Sequence, residues 1–161
     1  MTNKEYVIIY DQEYSGIRKR NTPDIEKQKY VISVEKIINN VDLRTTLMVK
    51  NIPNTISQVQ LLEQFNLRHK GSFNFFYLPI DFKTKLNVGY AFINFKEPSK
   101  IVNFFLEFNC KKWVIGNEKK KDKVCFLSYA RIQGLRCILD HFKRSSIMKQ
   151  IDEKLKPMVF N

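Results

Sequence analysis

The octapeptide Val88-Gly89-Tyr90-Ala91-Phe92-Ile93-Asn94-Phe95 decides the fold, because it is a short apolar run whose neighbours define what it must pair with. Successive side chains of a strand point to opposite faces, so Tyr90, Phe92 and Asn94 share one face and Ala91, Ile93 and Phe95 the other. One face reads as core and the other as an aromatic platform. Glu97-Pro98 follows, with proline where the first turn of a helix accepts it. Ile101, Val102, Phe105, Leu106 and Phe108 then repeat at helical spacing.

Working upstream, Thr46 to Lys50 alternates as a strand and is closed by the turn cluster Asn51-Ile52-Pro53-Asn54. Ser57 with Gln60 three residues on predicts a capping box, with Ile56 and Leu61 at the staple positions. That helix carries Leu62 and Phe65 on the same face and ends near Asn66–His69. After Gly71, Phe73 to Leu78 is an aromatic strand, and Pro79 marks an edge position or the end of ladder pairing. A polar connection from Asp81 to Asn87 carries Lys83 and Lys85.

Downstream, a basic turn at Lys111-Lys112-Trp113 and a loop with Lys119, Lys120, Lys121 and Lys123 precede the last strand, Val124 to Tyr129. The order strand–helix–strand–strand–helix–strand is the split βαβ arrangement, an α+β ferredoxin-like fold with a four-stranded antiparallel sheet. Ile132, Leu135, Ile138, Leu139 and Phe142 recur among basic residues from Arg131 to about Met148, which predicts an extra, amphipathic C-terminal helix. Residues 1–30 read as an N-terminal extension, with strand-like Tyr6–Tyr10 and the basic Arg18-Lys19-Arg20. Residues 24–40 hold a short helix, and the domain runs over 31–161.

Composition narrows the chemistry. The 161 residues carry 28 Lys+Arg against 16 Asp+Glu, a formal net charge of +12, which suits a polyanionic partner. Residues 1–44 hold eight basic and seven acidic side chains, so almost all of the excess lies beyond them. Charge alone does not choose between nucleic acid and an anionic membrane, but no stretch approaches the roughly 18 apolar residues of a membrane span. Cys110, Cys125 and Cys137 lack disulfide or zinc-ligand spacing, and the glycines stand singly, without a phosphate loop. The expectation is an intracellular protein with reduced thiols, no metal, no cofactor and no catalytic residues, hence no enzyme.

The octapeptide resembles one of the two signatures of the RNA-recognition motif, Lys/Arg-Gly-Phe/Tyr-Gly/Ala-Phe-Val-x-Phe/Tyr, with Val88 where the basic residue stands. The companion hexamer is Leu47-Met48-Val49-Lys50-Asn51-Ile52, with Met48 where an aromatic is usual. Aligned as in that motif, Met48, Lys50, Phe75, Tyr77, Phe126 and Ser128 join Tyr90 and Phe92 on the open face. Bases of a single strand stack on such aromatics at roughly 1–3 kcal/mol each, with Tyr90, Phe92 and Tyr77 foremost. Lys50, Lys83, Lys85 and Arg131 form a rim for phosphates or base edges. Tyr129, Phe73 and Phe76 point to the core, and Trp113 anchors the last strand.

Longer blocks sharpen the resemblance. Arg44 to Asn54, Phe76 to Lys83, Asn87 to Asn94, Lys111-Lys112-Trp113, Tyr129 to Gly134 and Lys156 to Phe160 resemble the C-terminal RNA-recognition motif of the meiosis-regulator (Mei-two-like) proteins. The resemblance implies binding of single-stranded RNA without catalysis, post-transcriptional regulation in meiosis or differentiation, and a place in the nucleus, the cytoplasm or both. It also makes Arg131 and Gln133 candidates for contacts particular to the family. The rival expectation is a protein-interaction module of the same fold, its sheet covered by the C-terminal helix and its helical face or that helix holding a protein partner. Binding to membrane through the basic helix is set aside.

Overall fold

The computed structural model describes residues 24–115, 123–143 and 152–161. The strand-like Tyr6–Tyr10, the lysines at 119–121 and the end of the predicted C-terminal helix beyond 143 lie outside the described residues. Two short helices, α1 (Asp24–Lys29) and α2 (Val34–Ile38), precede β1 (Thr46–Lys50). Then come α3 (Gln58–His69), β2 (Phe73–Tyr77), β3 (Tyr90–Phe95), α4 (Ser99–Phe108), β4 (Phe126–Tyr129) and α5 (Leu135–Lys143). A 3-10 turn (Glu153–Leu155) and a two-residue β5 (Met158–Val159) finish the chain. No helix among the described residues is long and apolar enough to cross a membrane.

The sheet is antiparallel in the order β4-β1-β3-β2-β5, one strand wider than expected. The local signals act as read. Ser57 accepts from the Gln60 amide while the Gln60 side chain accepts from the Ser57 amide, closing the capping box of α3. Helices α3 and α4 bury Leu61, Phe65, Ile101 and Phe104 against one face of the sheet, where they meet Leu47, Val49, Phe76, Ile93 and Tyr129. Phe73 and Phe76 both face this core, which strict alternation forbids. The pairing with β3 shifts between Phe73 and Phe75, so Asn74 is the extra residue of a bulge and the alternation restarts beyond it. Trp113 packs against the core and donates its indole N–H to the Asn51 carbonyl at 2.8 Å.

The segment ahead of β1 is part of the packed body. Ile32 and Ile37 join the core, and the Tyr30 carbonyl accepts from the Tyr129 amide at 2.8 Å. Arg44 pairs with Asp42 at 2.7 Å and lies over the Tyr129 ring, 3.9 Å from its centroid. The C-terminal end is tied down likewise. β5 pairs with β2, Phe160 packs edge-on against Phe73, and the Gln58 amide donates to the carbonyls of Lys154 and Lys156.

Candidate nucleic-acid interface

Register places the expected platform residues together. Across the sheet one row reads Ser128, Met48, Phe92 and Tyr77, and the next reads Phe126, Lys50 and Tyr90. The face is therefore assembled as the alternation requires. It is not open. Helix α5 lies across it, burying Ile138 and Phe142 completely and forming a second apolar core with Met48, Phe75, Tyr77, Tyr90 and Phe92. Phe142 stacks on Phe75 at 5.8 Å and 18°, meets Tyr77 edge-on at 4.9 Å and lies 5.8 Å from Phe92.

This corrects the expectation of a platform ready for bases. Phe92 is 0% exposed, Tyr77 3% and Tyr90 7%, so no base reaches these rings while α5 is seated. Burial also pushes the Tyr77 phenol well above its ordinary pKa. The physical reason is area: an uncovered patch of five large apolar side chains is unfavourable in water, and burying the Ile138 and Phe142 side chains contributes about 1.5–3 kcal/mol each.

Gln133 departs from expectation in the same way. Its side-chain oxygen accepts from the amides of Thr45 (3.1 Å) and Thr46 (2.9 Å), and its nitrogen donates to the carbonyls of Thr46 and Ala130, each at 2.8 Å. That occupies both lone pairs and both protons of the amide, leaving nothing for RNA. Gly134, at φ +89°, turns the chain and donates to the Thr46 hydroxyl at 2.8 Å. Helix α5 accordingly begins at Leu135 rather than Arg131. Gln133→Ala should lower stability by about 1–3 kcal/mol, read from the urea midpoint, with no loss of RNA affinity in the folded variant. Undiminished stability with lost affinity would return Gln133 to the ligand.

What remains accessible lies toward β4 and one end of the sheet. Phe126 is 47% exposed and stands directly opposite Lys50 in the β1–β4 register. The β2–β3 connection reaches the same end, where Ile52 donates to the Gly89 carbonyl and Asn87 to that of Asn54. There Asp81 holds a turn by accepting from the amides of Lys83 and Lys85, and both lysine side chains are exposed. Ser128 is 9% exposed at the margin of the covered face, and Arg131 is exposed beyond the end of β4. The sequence reading missed Tyr30, Lys27 and Lys29, which stand beside β4 and Arg131. The Tyr30 ring has Lys29 and Arg131 over it, each 5.8 Å from the centroid. No periodicity in residues 24–30 signals that position.

A family model described as RNA recognition motif 2 matches residues 44–143. Protein MEI2-like 5 of Oryza sativa subsp. japonica is 50% identical over 133 residues, covering 83% of this chain and 16% of that protein. Protein MEI2-like 5 of Arabidopsis thaliana is 44% identical over 157 residues, covering 94% of this chain and 19% of its own length. The chain thus spans less than a fifth of these curated relatives. Among solved structures, the Rna15 RRM with bound RNA (GU) is similar at 17% identity and a TM-score of 0.46, over 62% of this chain and 97% of that one.

Proposed function

Because the chain belongs to the RNA recognition motif 2 family, in the form carried by MEI2-like proteins, we propose that it binds single-stranded RNA, first at the β4 side of its sheet. The observation that carries this reading is the exposed Phe126 ring set directly opposite Lys50 on the sheet that bears the octapeptide. An aromatic face accepts any base, and a neighbouring ammonium meets the adjoining phosphate. Lys83, Lys85 and Arg131 extend the positive margin. Met48, Phe75, Tyr77, Tyr90 and Phe92 contribute to RNA only when α5 lifts, whereas Ser128 borders the accessible side. The reading assigns no catalytic step. Its biological setting, proposed from the resemblance, is control of RNA in meiosis or differentiation, in the nucleus or the cytoplasm.

The test is fluorescence anisotropy with a pool of labelled short single-stranded RNAs at two salt concentrations. Phe126→Ala with Lys50→Ala should weaken binding about tenfold or more, with circular dichroism unchanged, as expected for one lost stacking platform and one lost phosphate contact. Unchanged affinity in the folded double variant would overturn the assignment. The seated α5 favours a second reading, a protein-interaction module with a permanently closed sheet. That reading is carried instead if the wild type fails to bind the pool at either salt.

A further inference from the structure

Beside β4, and reaching Lys50 at the end of β1, the chain forms an open pocket of about 460 Å³. Lys27, Lys29, Lys50 and Arg131 line it, no carboxylate does among the described residues, and Tyr30 supplies an aromatic wall. Apolar surface from Ile32, Phe105 and Leu127 completes it. Its outer wall comes from residues 27–32, which precede the family-matched span of 44–143. The wall is held in place: Tyr30 accepts from the Tyr129 amide through its carbonyl, and the Lys29 carbonyl accepts from Arg44 at 2.7 Å.

We propose that this pocket seats one nucleotide of the bound RNA strand, its base against Tyr30 and its phosphate among Lys27, Lys29 and Arg131. The proposal rests on the RNA-binding reading above and extends it around the edge of the sheet. The chemistry is that of a planar heterocycle carrying negative charge: an aromatic ring, apolar walls and converging cations. Lys29 and Arg131 each lie 5.8 Å from the Tyr30 centroid, near the roughly 6 Å outer limit of a cation–π contact, so both converge on the place where a phosphate beside the ring would sit. Lys50 borders both the pocket and the Phe126 platform, which gives a strand stacked on Phe126 a continuous path to Tyr30.

The experiment compares wild type, Lys27→Gln/Lys29→Gln and Phe126→Ala/Lys50→Ala, using a 12-nucleotide single-stranded RNA carrying 4-thiouridine. Both lysines of the first variant are exposed, so its fold is expected to be unaffected. Affinity should fall about three- to tenfold, and the slope of log affinity against log salt should shrink by about 0.7, the loss of one single-strand phosphate contact. Irradiation should join RNA to the peptide that begins at Tyr30. Full affinity, an unchanged slope and cross-links confined to the sheet would overturn the pocket while leaving the RNA reading intact. RNA binding by none of the three proteins would overturn both. Titration with free UMP and AMP separates the source: protection of Tyr30 by mononucleotide, with RNA binding indifferent to the lysine variant, overturns the assignment to a strand.

Discussion

Phe142→Ala is expected to lower the unfolding free energy by about 3–5 kcal/mol and, in the protein that remains folded, to tighten its grip on single-stranded RNA. The stability loss follows from burial: the ring is 2% exposed and touches Phe75, Tyr77 and Phe92 at once. The gain in affinity follows from competition. Bases and α5 need the same rings, so apparent affinity through them scales with the fraction of molecules whose helix is lifted. Weakening the seat raises that fraction. Urea denaturation and RNA titration on one preparation check both halves. Lost stability with unchanged affinity would make α5 a permanent wall and confine RNA to the Phe126 side.

Phe65→Ala should cost a similar 3–5 kcal/mol without favouring RNA, because it acts on the opposite face of the sheet. Its ring meets Phe76, Phe104 and Phe108 edge-on at 5.7, 4.9 and 5.1 Å, joining β2 to both helices of that layer. Milder leucine substitutions keep the protein folded for a cycle. Phe65→Leu and Phe142→Leu share no ring partner and should add to within about 0.5 kcal/mol, whereas Phe75→Leu and Phe142→Leu, which remove both rings of one stacked pair, should not. Non-additivity of the first pair would mean that the two faces are coupled through the strands.

Alternation, the capping box and the turn residues were enough to read the βαββαβ order, and the platform residues do share a face. Alternation says which side chains stand together and nothing of what covers them. Every residue of β3 is buried, so the strand has two insides. The apolar stripe Leu135, Ile138, Leu139 and Phe142 was legible, but its docking site depends on contacts far apart in sequence. The Gln133 clamp spans 87 residues to Thr46, and β5 ties the C-terminal residues to β2. Gln133 was misread for a general reason: a side-chain amide looks the same in sequence whether it serves a ligand or a backbone. The pocket at Tyr30 was hidden because backbone hydrogen bonds, which carry no residue signature, fix residues 27–32 against β4.

The two margins of the sheet are finished with unusual care. On β4 the Leu127 amide donates to the Asn109 side chain at 2.9 Å and the Tyr129 amide to the Tyr30 carbonyl, so both outward donors are taken. On β2 the margin is closed by β5, by Phe160 donating to the Asn74 carbonyl and by Leu78 donating to Gln58 at 2.8 Å. Exposed strand margins are templates onto which other chains polymerise, and here both are blunted. A guest peptide finds the outward amides of β4 already taken and only the two-residue β5 as a margin to extend. Recognition is thereby steered toward side chains, and the same finishing works against fibrous self-assembly of a chain rich in Phe and Tyr.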